Sequence, residues 1–224
     1  DTENLVVRVH GTQDGPTFTL EPGDSAAVTL DETTAPLPAN APVTASGTVT
    51  LGDLDLTDVV TITSITLQPL GGNGADLDWT GVDPAGMLTT EGSVPTSATS
   101  ASVTWTFASA PENFDRLSPG ETLVLTYRLT ATDTQLVTDT QDVVVTIRGT
   151  NDRPRFDFRV GDSDFRILVE TNAGLSASGT LTALDPDVSQ ALVASVPSVL
   201  VAGSLGPSLT EADVLSMMSA ISGV

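Results

Sequence analysis

The stretch SVTWTF at residues 102–107 alternates hydroxyl-bearing side chains with Val103, Trp105 and Phe107. Successive side chains of a β-strand point to opposite faces, so this pattern predicts a strand with one buried and one solvent-facing side. Residues 123–129 and 143–147 show the same alternation, and the runs are rich in the Thr, Val and Ile that strands favour. Short strands separated by turns predict an all-β antiparallel β-sandwich.

Three local features depart from simple alternation. Within residues 58–68 the apolar phase shifts by one residue, which predicts a bulge near Ser64. The predicted unit exceeds a minimal sandwich of about 100 residues, and we place the excess around residues 69–100. Ser208 followed three residues later by Glu211 has the form of a capping box, which predicts a short helix near residues 208–220.

An internal repeat organises the chain. The sequence GTQDGP at residues 11–16 returns as GTNDRP at residues 149–154, an offset of 138 residues (149 minus 11). After a six-residue deletion, ASGT at residues 45–48 returns at 177–180, and the offset becomes 132 (177 minus 45). Matches that keep two offsets over such a span indicate tandem structural units.

The repeat sets the expected domain boundaries. We interpret residues 1–16 as the last strand and linker of a preceding repeat, and residues 17–154 as one complete repeat with its linker. Residues 155–224 are then a truncated second repeat, because Val224 aligns with Gly92 and the counterpart of 93–148 is missing. We expect this second repeat to be partly mobile or to borrow a strand from another chain, in a strand-swapped self-association for which residues 1–10 are a possible donor.

The charge balance excludes several classes of partner. Eight basic residues against 29 acidic ones give a net charge of −21, which argues against nucleic-acid and anionic-membrane partners. No apolar run approaches 18 residues, so no membrane insertion is expected. The sequence has no Cys and one His, which removes disulfides, Cys-ligated zinc and most acid–base schemes. We therefore expect no enzymatic activity.

Paired carboxylates recur along the chain. Asp53-x-Asp55 returns as Asp185-x-Asp187, and two such carboxylates in extended backbone point the same way and repel unless a cation lies between them. Calcium fits, because it takes six to eight oxygen ligands, whereas magnesium demands stricter geometry and zinc or copper favours His or Cys. A shared turn, in which Asp bonds nearby backbone N–H groups, is the open alternative. A glycosidase pair at Asp53 and Asp55 would need a cleft that nothing here predicts.

These motifs carry a family resemblance over nearly the whole chain. The linker GTNDxP, the segment ASGTV at residues 45–49 with Asp53-x-Asp55, and LxxGETL at 117–123 resemble the VCBS repeats of giant bacterial RTX-type adhesins. The linker is also similar to the Asp-x-Asn-Asp junctions of cadherins, where calcium stiffens tandem sandwiches, so the resemblance implies tandem Ig/cadherin-like β-sandwich repeats. The resemblance implies an extracellular, type I-secreted protein of the bacterial cell surface, whose repeats extend an adhesin in cell adhesion and biofilm formation.

The resemblance also assigns calcium ligands by position. The junction between the two repeats would use Glu32, Asp133, Asn151, Asp152, Asp185 and Asp187, and the preceding junction would use Asp14, Asp53 and Asp55. The sequence departs from the family pattern where Gln13 replaces the usual Asn and Arg153 replaces a small apolar residue. The resulting expectation is a non-enzymatic, calcium-stiffened extender whose partners are neighbouring repeats of the same chain. A ligand- or glycan-binding tip domain with residues 69–100 as its binding loops is the alternative, as is an accessory β-domain of a secreted hydrolase.

Overall fold

A computed structural model describes residues 2–32, 42–111, 113–169, 171, 173–203 and 210–220. The chain divides into two compact units, Asp1–Asp152 and Arg153–Val224, and the division falls inside the GTNDRP segment. We call them unit 1 and unit 2. Nine strands form the described part of unit 1: β1 (Thr17–Thr19), β2 (Ala27–Asp31), β3 (Thr44–Gly52), β4 (Val60–Leu67), β5 (Leu88–Glu91), β6 (Ser93–Val94), β7 (Ser100–Ala108), β8 (Thr122–Thr132) and β9 (Thr138–Arg148).

The strands of unit 1 form two sheets. One has the order β1-β3-β7-β5, and the other has the order β2-β9-β8-β4-β6. Every pairing among these nine strands is antiparallel except that of β2 with β9, which is parallel. The predicted bulge is confirmed, because the register of β4 against β8 shifts between Ile62 and Ser64. The all-β sandwich predicted from the sequence is confirmed.

The core of unit 1 lies between the sheets and follows the predicted alternation. Val103, Trp105 and Phe107 on β7 are fully buried, as are Leu125, Tyr127 and Leu129 on β8 and Val143 and Val145 on β9. The Trp105 indole N–H donates to the Ser25 carbonyl at 2.7 Å, and the Tyr127 hydroxyl donates to the Pro84 carbonyl at 2.7 Å. The two large polar rings are therefore buried with their hydrogen-bonding groups satisfied, as burial requires.

The segment around residues 69–100 belongs to the sandwich. Its 3-10 turn, Pro84–Met87, leads into β5, which pairs with β7 in the first sheet. Strand β6 follows and pairs with β4 in the second sheet. Met87, Leu88 and Val94 are buried in the core. The excess over a minimal sandwich therefore adds strands and packed side chains to both sheets.

Unit 2 contains fewer regular elements. Its described part has two short strands, β10 (Arg155–Phe156) and β11 (Ala183–Leu184), which pair antiparallel, and one helix, α1 (Glu211–Ser216). The helix is capped by Thr210, whose side chain and that of Asp213 form the capping box. The predicted cap pair was therefore wrong: Glu211 begins the helix, and Ser208 lies outside the described residues. Thr210 is the N-cap because its hydroxyl oxygen accepts a hydrogen bond from the Asp213 N–H, while the Asp213 carboxylate accepts one from the Thr210 N–H.

Residues 2–10 form no strand in the described chain, and their place as the last strand of a preceding repeat stays a prediction. A strand needs a neighbour for its backbone N–H and C=O groups, and in the described chain these residues have none. Leu5, Val7 and Val9 are largely exposed there.

The internal repeat is visible as matching hydrogen bonds in the two units. The Ser25 N–H donates to the Thr48 carbonyl at 2.9 Å, and its counterpart Ser163 donates to Thr180 at 2.9 Å. The Asp24 carboxylate accepts from the Glu21 N–H at 3.0 Å, and its counterpart Asp162 accepts from Arg159 at 2.9 Å. Gly23 and Gly161 both have φ of +105°, a conformation that suits glycine. The two offsets therefore mark equivalent positions in three dimensions.

Asp24 links the turn before β2 to β3 through hydrogen bonds, and its removal should lower the stability of unit 1 at neutral pH. Hydrogen bonds from the Thr48 and Thr50 hydroxyls, at 2.6 and 2.8 Å, hold the pKa of the Asp24 carboxyl below its ordinary value. A lowered pKa contributes stability above the ordinary pKa of Asp, about 3.9, and that contribution is lost as pH falls through the folded value. We expect Asp24→Ala to lower the free energy of unfolding at pH 7 and to differ little from wild type in strong acid.

Urea unfolding measured across this pH range tests the contribution of Asp24. Asp76→Ala is the matched control, because Asp76 is an exposed carboxylate in a loop of the same unit. A loss of stability for Asp24→Ala that stays constant down to strong acid would contradict the electrostatic origin.

Candidate metal centre

Three carboxylates gather in the turn that follows β3. Asp53, Asp55 and Asp58 each offer one oxygen, and these oxygens all lie within 4.8 Å of one another. The turn is held by its own backbone: the Asp55 N–H donates to the Asp53 carboxylate at 2.8 Å, and the Asp58 N–H donates to the Asp55 carbonyl at 2.9 Å. The sequence therefore folds three negative charges onto one end of unit 1, which we call the N-terminal pole.

The surroundings of Asp53 disfavour the charged form of its carboxyl group. Its side chain is buried, with 3% exposure, and its Oδ2 atom has no hydrogen-bond partner among the described residues. Burial raises the pKa of the Asp53 carboxyl, and the nearby charges of Asp58, Asp55 and Asp133 raise it further, against the opposing effect of the Asp55 N–H. A buried acceptor without a partner is costly, so this oxygen marks a place where a cation would be favoured.

Asp58 is buried too, but it is well supplied with donors. It accepts from the Gln13 amide at 3.2 Å and from the Thr134 hydroxyl at 2.9 Å. Burial alone would raise the pKa of the Asp58 carboxyl, yet hydrogen bonds led by those from Gln13 and Thr134 lower it below its ordinary value. Asp58 is therefore anionic at neutral pH beside Asp53.

The linker preceding β1 is bound to this pole. The Asp14 N–H donates to the Asp55 carboxylate at 2.7 Å. The Gln13 Nε2 atom lies among three oxygens: the Asp14 carbonyl at 2.6 Å, Asp58 Oδ2 at 3.2 Å and Asp133 Oδ2 at 3.0 Å. A donor nitrogen surrounded by oxygens partly offsets the repulsion between them, as a cation would do more strongly.

Asp133 was assigned to the junction between the two repeats, and this assignment was wrong. It follows β8 and lies in the hairpin before β9, where its carboxylate accepts from the Gln135 and Val137 N–H groups at 2.9 and 2.8 Å. In an antiparallel hairpin the turn lies at the opposite end from the outer strand termini. The GTNDRP linker leaves from the end of β9, so Asp133 belongs to the N-terminal pole together with Asp14, Asp53 and Asp55.

The opposite end of unit 1, which we call the C-terminal pole, carries Glu32, Asn151 and Asp152. Glu32 follows β2, and its carboxylate accepts from the Thr150 N–H at 2.6 Å. Glu32 and Asp152 are buried, with 4% and 1% exposure, and oxygens of the two lie within 4.8 Å of each other. The Asn151 side-chain amide donates to the Asp152 carbonyl at 2.8 Å. The parallel pairing of β2 with β9 places these residues at one end.

Asp185 and Asp187 lie in unit 2 and repeat the turn of Asp53 and Asp55. The Asp187 N–H donates to the Asp185 carboxylate at 3.2 Å. The Gln190 N–H donates to the Asp187 carbonyl at 3.0 Å, as Asp58 does to Asp55 in unit 1. Since Gln190 stands where unit 1 has Asp58, the repeat comparison could not identify Asp58 as a site residue. Its local spacing after Asp53-x-Asp55 was the one sequence signal that pointed to it.

The N-terminal pole offers oxygen atoms, the ligand type that hard cations such as calcium and magnesium take. Its side-chain oxygens come from Asp53, Asp55, Asp58 and Asp133, with the Asp14 carbonyl close by, and calcium is coordinated by such oxygens at about 2.3–2.6 Å. The described residues place neither Cys nor His in this pole, as zinc or copper would favour.

No protein-family model matches the sequence, and no curated protein matches it. Among solved structures, the chain is similar to the ASH/PapD-like domain of human CEP192 (PapD-like domain 7). The TM-score is 0.34 and the identity 14%, over 66% of this chain and 95% of that one. The fold class rests on the sheet order and core of unit 1 itself. None of the described helices is long and apolar enough to cross a membrane.

Proposed function

We propose that this protein is a non-enzymatic extender built from tandem β-sandwich repeats, in which calcium bound at the poles stiffens the joints between neighbours. The observation that carries the proposal is the N-terminal pole, where the buried Oδ2 of Asp53, unpartnered among the described residues, lies in a cluster with Asp55 and Asp58. Hydrogen bonds from Gln13 and Asp14 connect the preceding linker to this cluster. A cation there would bind the sandwich and its linker together.

The cellular context of the proposal comes from the sequence resemblance. An extender of an adhesin exposed on a bacterial surface meets calcium outside the cell, and its strongly negative charge of −21 attracts divalent cations. Its partners are then neighbouring repeats of the same chain, and its role is to present an adhesive region at a distance in adhesion and biofilm formation.

Calcium should stabilise the whole chain by mass action. Binding to the folded pole and not to the unfolded chain adds about 2.7 kcal/mol at a calcium concentration 100-fold above Kd. For a domain of this size, that corresponds to a rise in Tm of about 5–10 °C. Differential scanning calorimetry of the full chain in millimolar calcium and in EDTA measures the effect, with magnesium at equal concentration as a control that should shift Tm less.

A stiffened joint is tested separately from binding. Small-angle scattering of the full chain, which contains the joint between unit 1 and unit 2, should give a narrower distribution of maximum dimensions with calcium than with EDTA. Identical melting curves and identical scattering in calcium and EDTA would refute the proposal.

A further inference from the structure

The side-chain amide of Gln13 lies among three oxygens of the N-terminal pole. Its Nε2 atom is 2.6 Å from the Asp14 carbonyl oxygen, 3.0 Å from Asp133 Oδ2 and 3.2 Å from Asp58 Oδ2. Both carboxylates are buried, with 4% exposure for Asp133 and 2% for Asp58. Because an amide has only two N–H groups, these three oxygens share two protons. The amide therefore satisfies the three acceptors incompletely.

The amide also leaves the negative charge of the pole uncompensated. Asp58 belongs to the cluster in which oxygens of Asp53, Asp55 and Asp58 all lie within 4.8 Å of one another. Within that cluster, Oδ2 of Asp53 is buried and has no hydrogen-bond partner among the described residues. A neutral donor offsets the repulsion between such oxygens through its dipole alone, whereas a divalent cation cancels it and takes more than two oxygen ligands. The position of the Gln13 nitrogen is therefore one that a cation would favour more than an amide does.

The second copy of the linker shows what the length of the Gln13 side chain adds. Asn151 is the counterpart of Gln13 at the offset of 138 residues (151 minus 13), and its amide donates to the carbonyl of the following residue, Asp152, at 2.8 Å. Gln13 makes the same bond to Asp14 at 2.6 Å. A glutamine has one methylene more than an asparagine, and with this length the Gln13 amide also reaches the two buried carboxylates. The bond to the next carbonyl needs only the shorter side chain, so the further reach is a separate feature of Gln13.

We propose that the Gln13 amide occupies the cation position of the N-terminal pole in the metal-free protein, and that calcium binds by displacing it. The Asp14 carbonyl and the Asp58 and Asp133 carboxylates, which accept from the Gln13 nitrogen in the metal-free chain, then become oxygen ligands of the ion. Gln13 is thus a built-in competitor that sets how much calcium the joint needs. This inference rests on the proposed function, because it concerns the same calcium site.

Displacement sets the stability of the metal-free pole against its affinity for calcium. Hydrogen bonds from the Gln13 amide to the carboxylates of Asp58 and Asp133 stabilise the folded, metal-free chain, and bonds to ionised groups are stronger than bonds between neutral ones. Calcium must break these bonds, so their contribution is subtracted from the free energy of calcium binding. We expect their loss to lower the affinity for calcium by at least about tenfold. Shortening the side chain should therefore destabilise the metal-free chain and tighten calcium binding together.

Gln13→Asn tests the displacement, because it removes one methylene and keeps an amide that can bond the Asp14 carbonyl. Isothermal titration of the full chain with calcium chloride should give a Kd at least about tenfold lower than that of wild type. The Tm of the variant should fall in EDTA and should match wild type in saturating calcium. Gln141→Asn is the matched control, since the Gln141 amide likewise donates to the carbonyl of the next residue, Asp142, at 2.8 Å. The control should leave the Kd for calcium unchanged.

Gln13→Glu gives a second measurement with a side chain of the same shape. A carboxylate in place of the amide adds repulsion without metal and a ligand oxygen with it, so the Tm in EDTA should fall and the Kd should fall further than for Gln13→Asn. A wild-type chain that binds calcium while both variants bind it no more tightly would overturn the displacement and leave the calcium site standing. Equal losses of Tm in EDTA and in calcium would do the same, because they are the mark of a structural linker contact alone. Absence of calcium binding by all three proteins would instead remove the proposed function itself.

Discussion

Replacing Trp105 with Ala should lower the free energy of unfolding of unit 1 by about 3–5 kcal/mol, the cost typical of deleting a fully buried large aromatic side chain. Trp105 is fully buried in the core, and its indole ring lies directly against Gly47, where a Cβ atom would come within 2.5 Å of Cζ2. Its loss also removes the donor to the Ser25 carbonyl, so the substitution combines a cavity with a lost hydrogen bond.

Chemical denaturation of the full chain in EDTA measures this effect without a contribution from metal. Thr104→Ala serves as the matched control, because Thr104 is the neighbouring residue on the exposed face of β7. Surface substitutions of this kind usually change stability by less than about 0.5 kcal/mol. A loss below about 1 kcal/mol for Trp105→Ala would contradict the central place given to this ring.

Asp53→Asn should have opposite effects with and without calcium. Without metal, the variant should melt above wild type, because an amide removes a buried charge beside Asp55 and Asp58. The amide carbonyl can still accept from the Asp55 N–H, which now bonds Asp53 Oδ1 at 2.8 Å. With calcium, the variant should lose most of the increment of about 2.7 kcal/mol expected at 100-fold excess over Kd.

The pH dependence follows from the raised pKa of Asp53. A raised carboxyl pKa gives a contribution to stability that is present below the ordinary Asp value and is lost as pH rises through the folded value. The advantage of Asp53→Asn in EDTA should therefore grow as pH rises through that range. Calorimetry at several pH values tests this, with Asp76→Asn as the control of equal charge change at an exposed position. A variant that keeps the full calcium increment would exclude Asp53 as a ligand.

Local patterning was enough to predict β4, β7, β8 and β9 of unit 1. The alternation at Val103, Trp105 and Phe107 fixed which face is buried, because the side-chain period of a strand is two residues. The phase shift before Ile65 identified the bulge for the same reason. The parallel pairing of β2 with β9 was not predictable in this way, since register between distant strands depends on topology and not on local sequence.

The candidate site was predictable in part. Asp53 and Asp55 were found because the spacing itself places both carboxylates together. Asp133 was assigned to the wrong pole, because the assignment followed family position and not the course of the β8–β9 hairpin. Asp58 was missed because its counterpart in the repeat is Gln190. The predicted N-cap was Ser208, but the helix is capped by Thr210, which forms reciprocal hydrogen bonds with Asp213.

The parallel pairing of β2 with β9 has a mechanical consequence for a protein loaded from its two ends. Force reaching unit 1 through Asp14 and leaving through Gly149 pulls the two strands past each other along their length. The five residue pairs from Ala27–Val144 to Asp31–Arg148 then carry tension together in shear, and they break collectively where a hairpin would unzip one pair at a time. Such a unit resists extension most strongly in the direction in which a tether would be stretched.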